Sequence, residues 1–319
     1  MDWTPLSDAI AKNHTFLISS HLSPDGDNVG SQLAFIWYLK SLGKRVDCYC
    51  ADPLPQKLSF LKDSVLITQN KPNPGAVFDV LVILDCSNIT RVGWDCGEVS
   101  LGMIVNIDHH RDNANFGALN FVDASAAATG EVIFSFFKHC GVVVPAHVAV
   151  ALYTAVMTDT GGFRFSNTCG RVLRVCAELA ELGVDCADVY ERVFSCHTPQ
   201  ALALQARIWS TLKFHLGGRV CSLDMPHSIL DEVGAKYSDS EGMADNTVTA
   251  LGVEVGVMTK HSPEETHFSL RSKGAVDVGK LAKGISGGGG HSCAAGCTIK
   301  KPYGEAMAEM LDILEKALS

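Results

Sequence analysis

The feature that most constrains the fold is an alternation of apolar, β-branched runs with helix-like segments in the first half of the chain. The runs Val77–Leu84 and Leu101–Ile107 are nearly unbroken, which is typical of strands buried on both faces of a parallel sheet. Helical apolar spacing occurs at Val29–Leu42, Thr129–Cys140, Pro145–Thr158 and Arg171–Leu182. This alternation predicts an α/β domain over residues 1–185, with a parallel sheet and helices on both of its faces.

The second half of the chain shows a different pattern. Residues 186–216 look helical and are interrupted by Pro199, so we predict a helical connector. Residues 217–319 mix short strand patterns with helices and predict a smaller α+β domain. The 319 residues suit two domains of roughly 100–200 residues each.

Composition narrows the class of protein. The net charge of −9 argues against a protein that coats long duplex nucleic acid by neutralising phosphates. The segment 260–301 nevertheless holds seven basic and three acidic residues, which suits a small anionic ligand. We find no apolar run suited to a membrane and no signal-peptide pattern, and therefore expect a cytoplasmic protein. The pattern leaves a monomer and a homodimer open.

Acidic and imidazole side chains follow the apolar segments at four places, where we expect the carboxyl ends of strands. Ligands of open parallel sheets bind beyond those ends. The four groups are His21 with Asp25 and Asp27; Asp85; Asp108-His109-His110; and Asp159, after the apolar segment Ala149–Thr158. Each group alone also fits a turn or a helix cap. Together they would crowd carboxylates into one crevice, which divalent cations would stabilise.

The ligand types indicate the kind of metal site. Mixed carboxylate oxygens and imidazole nitrogens suit Mn²⁺, Mg²⁺ or similar ions, whereas the twelve cysteines lack the paired C-x-x-C spacing of a thiolate zinc site. Two such ions about 3.5–4 Å apart promote phosphoryl hydrolysis. The sequence therefore predicts a two-metal phosphoesterase.

A glycine run in the second half is a candidate phosphate-binding segment. Gly287-Gly288-Gly289-Gly290 precedes His291, and backbone N–H groups of such runs approach anions closely. Arg271 lies upstream at the end of a predicted strand and is a residue type suited to phosphate. A linker and a solvated arginine are the alternatives.

These motifs resemble those of a known family. The segments His21-x-x-Pro-Asp25-Gly-Asp27-x-x-Gly30-Ser31, Asp85, Asp108-His109-His110 and Asp159-Thr160-Gly161 look like the four motifs of the DHH phosphoesterase superfamily. Gly287–Gly296 looks like the glycine-rich motif of the DHHA1 domain. The layout is similar to that of the bacterial nano-RNase and phosphoadenosine-phosphate phosphatase group.

The resemblance implies roles for individual residues. The metal ligands would be His21, Asp25, Asp27, Asp85, His109 and Asp159, with Asp85 shared by two ions, which would be Mn²⁺ or alternatively Mg²⁺ or Co²⁺. Asp108 would be a supporting residue that orients the loop or a neighbouring histidine. The substrate contacts would be His110, Arg111, Asn115, Arg271, Gly288, Gly289, Gly290 and His291.

The resemblance also implies a reaction. Short single-stranded oligonucleotides, linear dinucleotides or 3′-phosphoadenosine 5′-phosphate would be hydrolysed, with release of nucleoside 5′-monophosphates. Two alternatives stay open, an inorganic pyrophosphatase of the DHH type and a non-catalytic nucleotide sensor.

Overall fold

The first structural unit, Met1–Cys196, is built on a five-stranded parallel sheet. The structure is a computed structural model that describes residues 1–240, 242–285, 288–290 and 292–319. In the sheet the strands lie in the order β2-β1-β3-β4-β5. Their bounds are β1 Thr15–Ser19, β2 Arg45–Cys48, β3 Val77–Leu84, β4 Ser100–Asp108 and β5 Leu119–Val122.

Six α-helices belong to this unit. They are α1 Thr4–Lys12, α2 Gly26–Ser41, α3 Thr129–His139, α4 Ala146–Asp159, α5 Gly170–Glu181 and α6 Cys186–Tyr190. Short 3-10 helices lie at Gln56–Leu58, Ser64–Leu66, Ile89–Val92 and Cys96–Glu98, and a π-helix at Glu191–Ser195 follows α6.

The β3 side chains show how both faces of the sheet are covered. Val80 and Val82 join a large core with residues of the long helices, among them Phe35 of α2. Leu81 and Ile83 join a second core with residues of the 3-10 segments, including Val92. Because successive side chains of a strand alternate between faces, an unbroken apolar run is needed to fill both cores.

Close approach of α2 and α4 depends on glycine. A side chain at Gly30 would place its Cβ 2.2 Å from the carbonyl oxygen of Ala151, which is far inside van der Waals contact. The two helices therefore meet backbone to backbone at this point.

The second unit, His197–Ser319, carries a six-stranded mixed sheet in the order β10-β11-β9-β8-β7-β6. Only the β7–β8 pairing among the described ladders of this sheet is parallel. The strands are β6 Lys213–His215, β7 Val220–Pro226, β8 Val255–His261, β9 Thr266–Ser272, β10 Gly289–Gly290 and β11 Ala294–Ile299. The helices are α7 Pro199–Trp209, α8 Ser228–Val233, α9 Met243–Asn246, α10 Val278–Lys283 and α11 Tyr303–Leu318.

The predicted fold class is confirmed, with an N-terminal parallel sheet and a smaller α+β unit after it. Residues 186–216, for which we predicted a helical connector, contain α6, the π-helix, α7 and β6. The chain divides into its two units at Cys196–His197, so that α6 and α7 belong to different units. Pro199 begins α7 instead of interrupting a helix, since its missing N–H is harmless in the first turn. Within the described ranges, the helices are all too short or too polar to cross a membrane.

Candidate metal centre

Three neighbouring strands deliver candidate ligands to one edge of the sheet. His21 lies just beyond the end of β1, Asp85 directly follows β3, and Asp108 ends β4. Since β3 lies between β1 and β4, Asp85 comes between the other two groups. The strand order reverses direction between β1 and β3, and open α/β sheets bind ligands at this kind of switch point.

The other ligands come from helices, and here one expectation was wrong. Asp159 is the last residue of helix α4 and does not end a strand. Asp27 lies in the first turn of α2, and Asp25 is the N-cap of that helix, where its Oδ1 accepts the N–H of Asn28 at 3.0 Å. The candidate metal ligands therefore come partly from the ends of strands and partly from the ends of helices.

The Asp85 carboxylate faces two sides of the cluster. Its Oδ2 is 3.2 Å from His21 Nε2, and its Oδ1 is 3.6 Å from His109 Nε2. Oδ1 also accepts a hydrogen bond from the Thr129 hydroxyl at 3.1 Å. The Asp85 backbone has a φ of +53°, a left-handed conformation that Asp adopts more readily than most residues.

The six predicted ligands all fall into groups that could hold a metal ion, with potential ligand atoms within 4.8 Å of one another. One group contains His21, Asp25 and Asp85, and another contains Asp27, His109 and Asp159. A third adds the remaining residues of the triplet: Asp85, Asp108, His109 and His110. Asp85 belongs to two of these groups, as does His109.

The histidine rings are oriented for ligation through Nε2. Nδ1 of His21 donates to the carbonyl oxygen of Leu22 at 2.6 Å, and Nδ1 of His109 faces that of Ala126 at 3.4 Å. When Nδ1 keeps its proton and donates it in a hydrogen bond to a carbonyl oxygen, the lone pair of the neutral ring lies on Nε2. Both Nε2 atoms lie next to carboxylates, as metal ligation requires.

His110 is oriented differently. Its Nδ1 lies 2.7 Å from Asp108 Oδ1. Burial alone would lower the pKa of His110, but the hydrogen bond to Asp108 and the charges of Asp85 and Asp108 outweigh burial and raise it to about 9. The buried Asp108 carboxylate therefore orients His110.

The electrostatics of the cluster favour a bound cation. Burial, together with the charge of Asp85, raises the pKa of Asp27 and of Asp159 well above the ordinary value. For Asp85 burial acts in the same direction, but the hydrogen bond and charge of His21 and the charge of His109 outweigh it and lower the pKa. Several carboxylates therefore lie close together in a buried site, where their negative charges repel one another. Bound divalent ions would relieve that repulsion. The donor set fits such ions.

Several supporting residues were missed by the sequence analysis. Asn113 Nδ2 donates to Asp108 Oδ2 at 2.5 Å and to Asn106 Oδ1 at 2.8 Å. The buried Asn106 in turn donates to the carbonyl oxygens of Ile83 and Cys86, on either side of Asp85. Asn106 was detectable as a polar residue in an apolar strand, whereas nothing in the sequence marks Asn113.

Apart from His110, the predicted substrate contacts of the first unit lie on the surface. Arg111 and Asn115 are exposed. Asn115 has a φ of +50°, and its N–H donates to Asn113 Oδ1 at 2.7 Å. The loop that carries Asn115 is therefore linked to Asp108 through Asn113.

Among the described residues, the predicted substrate contacts of the second unit are Arg271 on β9, Gly289 and Gly290 on β10, and Gly288 directly before β10. Arg271 Nε donates to Asp245 Oδ1 at 2.5 Å. Gly289 and Gly290 form a short strand paired with Gly296 and Ala295 of β11, and Gly288 donates to Ile285. Gly287 and His291 lie outside the described residues.

A parallel sheet whose carboxyl edge gathers buried carboxylates and imidazoles in metal-binding groups is the arrangement of a metal-dependent phosphoesterase. The chain belongs to the DHH family. The model described as the DHH family N-terminal domain matches residues 15–156, and the DHHA1 domain model matches residues 222–319. The resemblance inferred from the motifs is thereby confirmed.

The relatives named bifunctional oligoribonuclease and PAP phosphatase NrnA include a protein from Thermus thermophilus and one from Bacillus subtilis. The protein from Thermus thermophilus is 37% identical over 285 residues, covering 89% of this chain and 83% of the relative. The protein from Bacillus subtilis is 25% identical over 299 residues, covering 93% of each.

Solved structures agree on the fold. An exopolyphosphatase-related protein from Bacteroides fragilis superposes with a TM-score of 0.91 at 24% identity, covering 98% of this chain and 95% of the other. RecJ from Thermus thermophilus, solved in complex with Mn²⁺, gives a TM-score of 0.52 at 13% identity and covers 98% of this chain but 53% of the other.

Proposed function

We propose that this chain is a two-metal phosphoesterase that hydrolyses short single-stranded oligonucleotides, including linear dinucleotides, to nucleoside 5′-monophosphates. We further propose that it converts 3′-phosphoadenosine 5′-phosphate to AMP. The names of the two NrnA relatives support these substrates. The observation that carries the two-metal proposal is Asp85, whose carboxylate faces His21 on one side and His109 on the other.

The proposed ligands divide between two ions. His21, Asp25 and Asp85 would hold one ion, and Asp27, Asp85, His109 and Asp159 the other. Mn²⁺ is our first choice because mixed oxygen and nitrogen ligands suit it, and Mg²⁺ or Co²⁺ are alternatives. When bound, such ions lower the pKa of water and neutralise negative charge on phosphate oxygens.

The chain's own residues would orient the substrate. We assign a phosphate contact to the imidazole of His110, which Asp108 orients through Nδ1. Arg111 and Asn115 are exposed on the loop that follows and are proposed to contact the substrate as well. Asp108 would act on His110 and the loop without touching substrate.

We also assign substrate binding to the second unit, through Arg271, Gly288–Gly290 and His291. Support comes from the DHHA1 match over residues 222–319 and from the resemblance of Gly287–Gly296 to the glycine-rich motif. Nη2 of Arg271 would be the donor to phosphate, since Nε is hydrogen-bonded to Asp245 and Nη1 to Leu270.

A substrate panel with Mn²⁺ tests the proposal. The full chain should release mononucleotides from a dinucleotide and from an oligonucleotide of about five residues, and orthophosphate from 3′-phosphoadenosine 5′-phosphate. Turnover of pyrophosphate alone would instead identify an inorganic pyrophosphatase. Binding of the dinucleotide with Mn²⁺ but without cleavage would identify a nucleotide sensor, and either result would overturn the proposal.

A further inference from the structure

Residues 123–131, which form the loop after β5 and the first turn of α3, contact two of the proposed metal ligands. The N–H groups of Thr129 and Gly130 donate to the two carboxylate oxygens of Asp27 at 2.6 and 2.9 Å. The carbonyl oxygen of Ala126 faces Nδ1 of His109 at 3.4 Å. The first turn of α3 and the loop before it therefore orient two proposed ligands that come from other elements.

The same segment reaches further members of the site. The Thr129 hydroxyl donates to Asp85 Oδ1, and the backbone N–H of Asp123 donates to the Asp108 carbonyl oxygen at 3.0 Å. Asn167 Nδ2 donates to the carbonyl oxygens of Ala127 and Asp159, at 3.3 and 3.1 Å. A shift of residues 123–131 would therefore change the positions of the candidate ligands to which they are hydrogen-bonded.

An ion pair between Arg171 and Glu131 links residues 123–131 to helix α5, outside the cluster of candidate ligands. Arg171, in the first turn of α5, places Nε 2.5 Å from Glu131 Oε1. Its Nη1 donates to Asp123 Oδ2 and to the Ser125 hydroxyl, both at 3.3 Å. Arg171 therefore contacts both ends of the segment.

Glu131 connects Arg171 to the backbone of the loop before α3. Its side chain is 5% exposed, and Oε2 accepts the N–H of Ala127 at 2.8 Å. Ala127 is the neighbour of Ala126, whose carbonyl oxygen faces His109. A buried carboxylate that loses its cationic partner is costly, so removal of Arg171 would disturb the loop as well as the pair.

We infer that Arg171 and Glu131 are positioning residues for the metal centre, which act through residues 123–131 on Asp27, His109 and Asp159. These three residues form one of the candidate ligand groups. Among the described hydrogen bonds, none joins His21 or Asp25 to the segment. The pair therefore sets the affinity of the ion held by Asp27, His109 and Asp159 more than that of its neighbour. The two-ion part of this inference rests on the proposed function.

Calorimetric titration of the metal-free full-length protein with MnCl₂ tests the inference. Arg171→Met should weaken Mn²⁺ binding by about 10-fold to 100-fold, as is usual when an outer partner of a ligand is lost, and the loss should fall on one binding step. The kcat for a dinucleotide at limiting Mn²⁺ should fall in parallel and recover when Mn²⁺ is raised. If Arg171 had a purely structural role, raising the Mn²⁺ concentration would not restore the kcat of Arg171→Met.

The chain offers a matched control on the same two helices. Lys138 of α3 and Glu178 of α5 form an exposed ion pair at 2.6 Å, so Lys138→Met removes a cation between α3 and α5 outside the ligand network. This variant should bind Mn²⁺ like the wild type. Arg171→Lys should retain part of the affinity that Arg171→Met loses.

Several outcomes would overturn the inference: wild-type Mn²⁺ affinity in folded Arg171→Met, an equal loss in Lys138→Met, or equal weakening of two resolved steps. Should Arg171→Met fail to fold by circular dichroism, Glu131→Gln decides by the same criteria, because Gln still accepts the Ala127 N–H. A wild-type protein that binds Mn²⁺ but cleaves no substrate would refute the proposed function alone, since calorimetry still measures the effect of Arg171.

Discussion

Asp85 is the residue on which the proposed metal centre depends most. Its carboxylate lies next to the imidazoles of His21 and His109, and its backbone adopts the left-handed conformation. We predict that Asp85→Asn lowers the turnover of a dinucleotide by at least about 100-fold at saturating Mn²⁺, since it removes charge from a directly liganding side chain. Asn tolerates the left-handed backbone, so the fold should persist, which circular dichroism would verify.

Asp79 provides the control for that substitution. It lies near the start of the same strand, β3, where its Oδ2 accepts the N–H groups of His14 and Thr15, both at 2.8 Å. Asp79→Asn should leave turnover within about twofold of wild type, because surface changes away from a site act locally. Equal activity losses in Asp79→Asn and Asp85→Asn would refute the special role of Asp85.

At this scale the resemblance to the family led to the six proposed ligands, and the structure places all six in candidate metal-binding groups. They meet there because strand and helix ends come together where the sheet order reverses. Their role as ligands stays a prediction. The sequence did not lead to Thr129 or Arg171, whose hydrogen bonds depend on neighbours far away in the chain. Nor did it lead to Asn113, which donates to the nearby Asp108 and Asn106. A threonine in an Ala-rich stretch and an arginine at a helix start carry no pattern of their own.

Among the elements, the crossing of α2 and α4 sets the spacing of ligands, because α2 carries Asp27 and α4 carries Asp159. We predict that Gly30→Ala destabilises the protein by about 1–3 kcal/mol, as overpacking does, because the new Cβ would overlap the Ala151 carbonyl. Mn²⁺ affinity should fall in the same variant, and thermal unfolding with and without MnCl₂ would measure both effects.

Gly304 is the matched position for the Gly30 substitution. It lies in the first turn of α11, and a Cβ there would meet nothing within 4 Å. Gly304→Ala should be neutral or slightly stabilising, because it restricts the unfolded chain. If Gly30→Ala proved as harmless, the close helix crossing would not constrain the site.

Element boundaries followed the strength of the sequence pattern. The predicted strand Val77–Leu84 matches β3, since a long apolar run leaves few alternatives. The short strand β5 was missed, because Asn120 and Gly117 around it read as loop residues. The Gly289–Gly290 strand was also missed, since it pairs with β11 through its backbone and glycine has no side chain that could show a strand pattern.

On the scale of the whole molecule, the proposed metal ligands all lie in the first unit. We predict that Mn²⁺ at about 100 times its Kd slows hydrogen exchange in that unit by an amount equivalent to about 2.7 kcal/mol. Peptides that cover β1, β3 and α3 should report this effect. Peptides that cover β7 and β8, in the core of the second unit, should exchange at the rate seen without metal.

Hydrogen exchange followed by mass spectrometry on the full chain would make this comparison. A calcium salt at the same ionic strength serves as the control for nonspecific effects of a divalent ion. Equal protection of β7 and β3 by Mn²⁺ would contradict a metal centre confined to the first unit.

The proposed ligands are widely separated along the chain, from His21 to Asp159. This spread has a consequence for biosynthesis. Because translation proceeds from the N-terminus at about 5–20 residues per second, a nascent chain presents His21 and Asp25 well before α4 has left the ribosome. The complete set of ligands exists only after α4 has emerged, so metal capture must follow the synthesis of the entire parallel sheet.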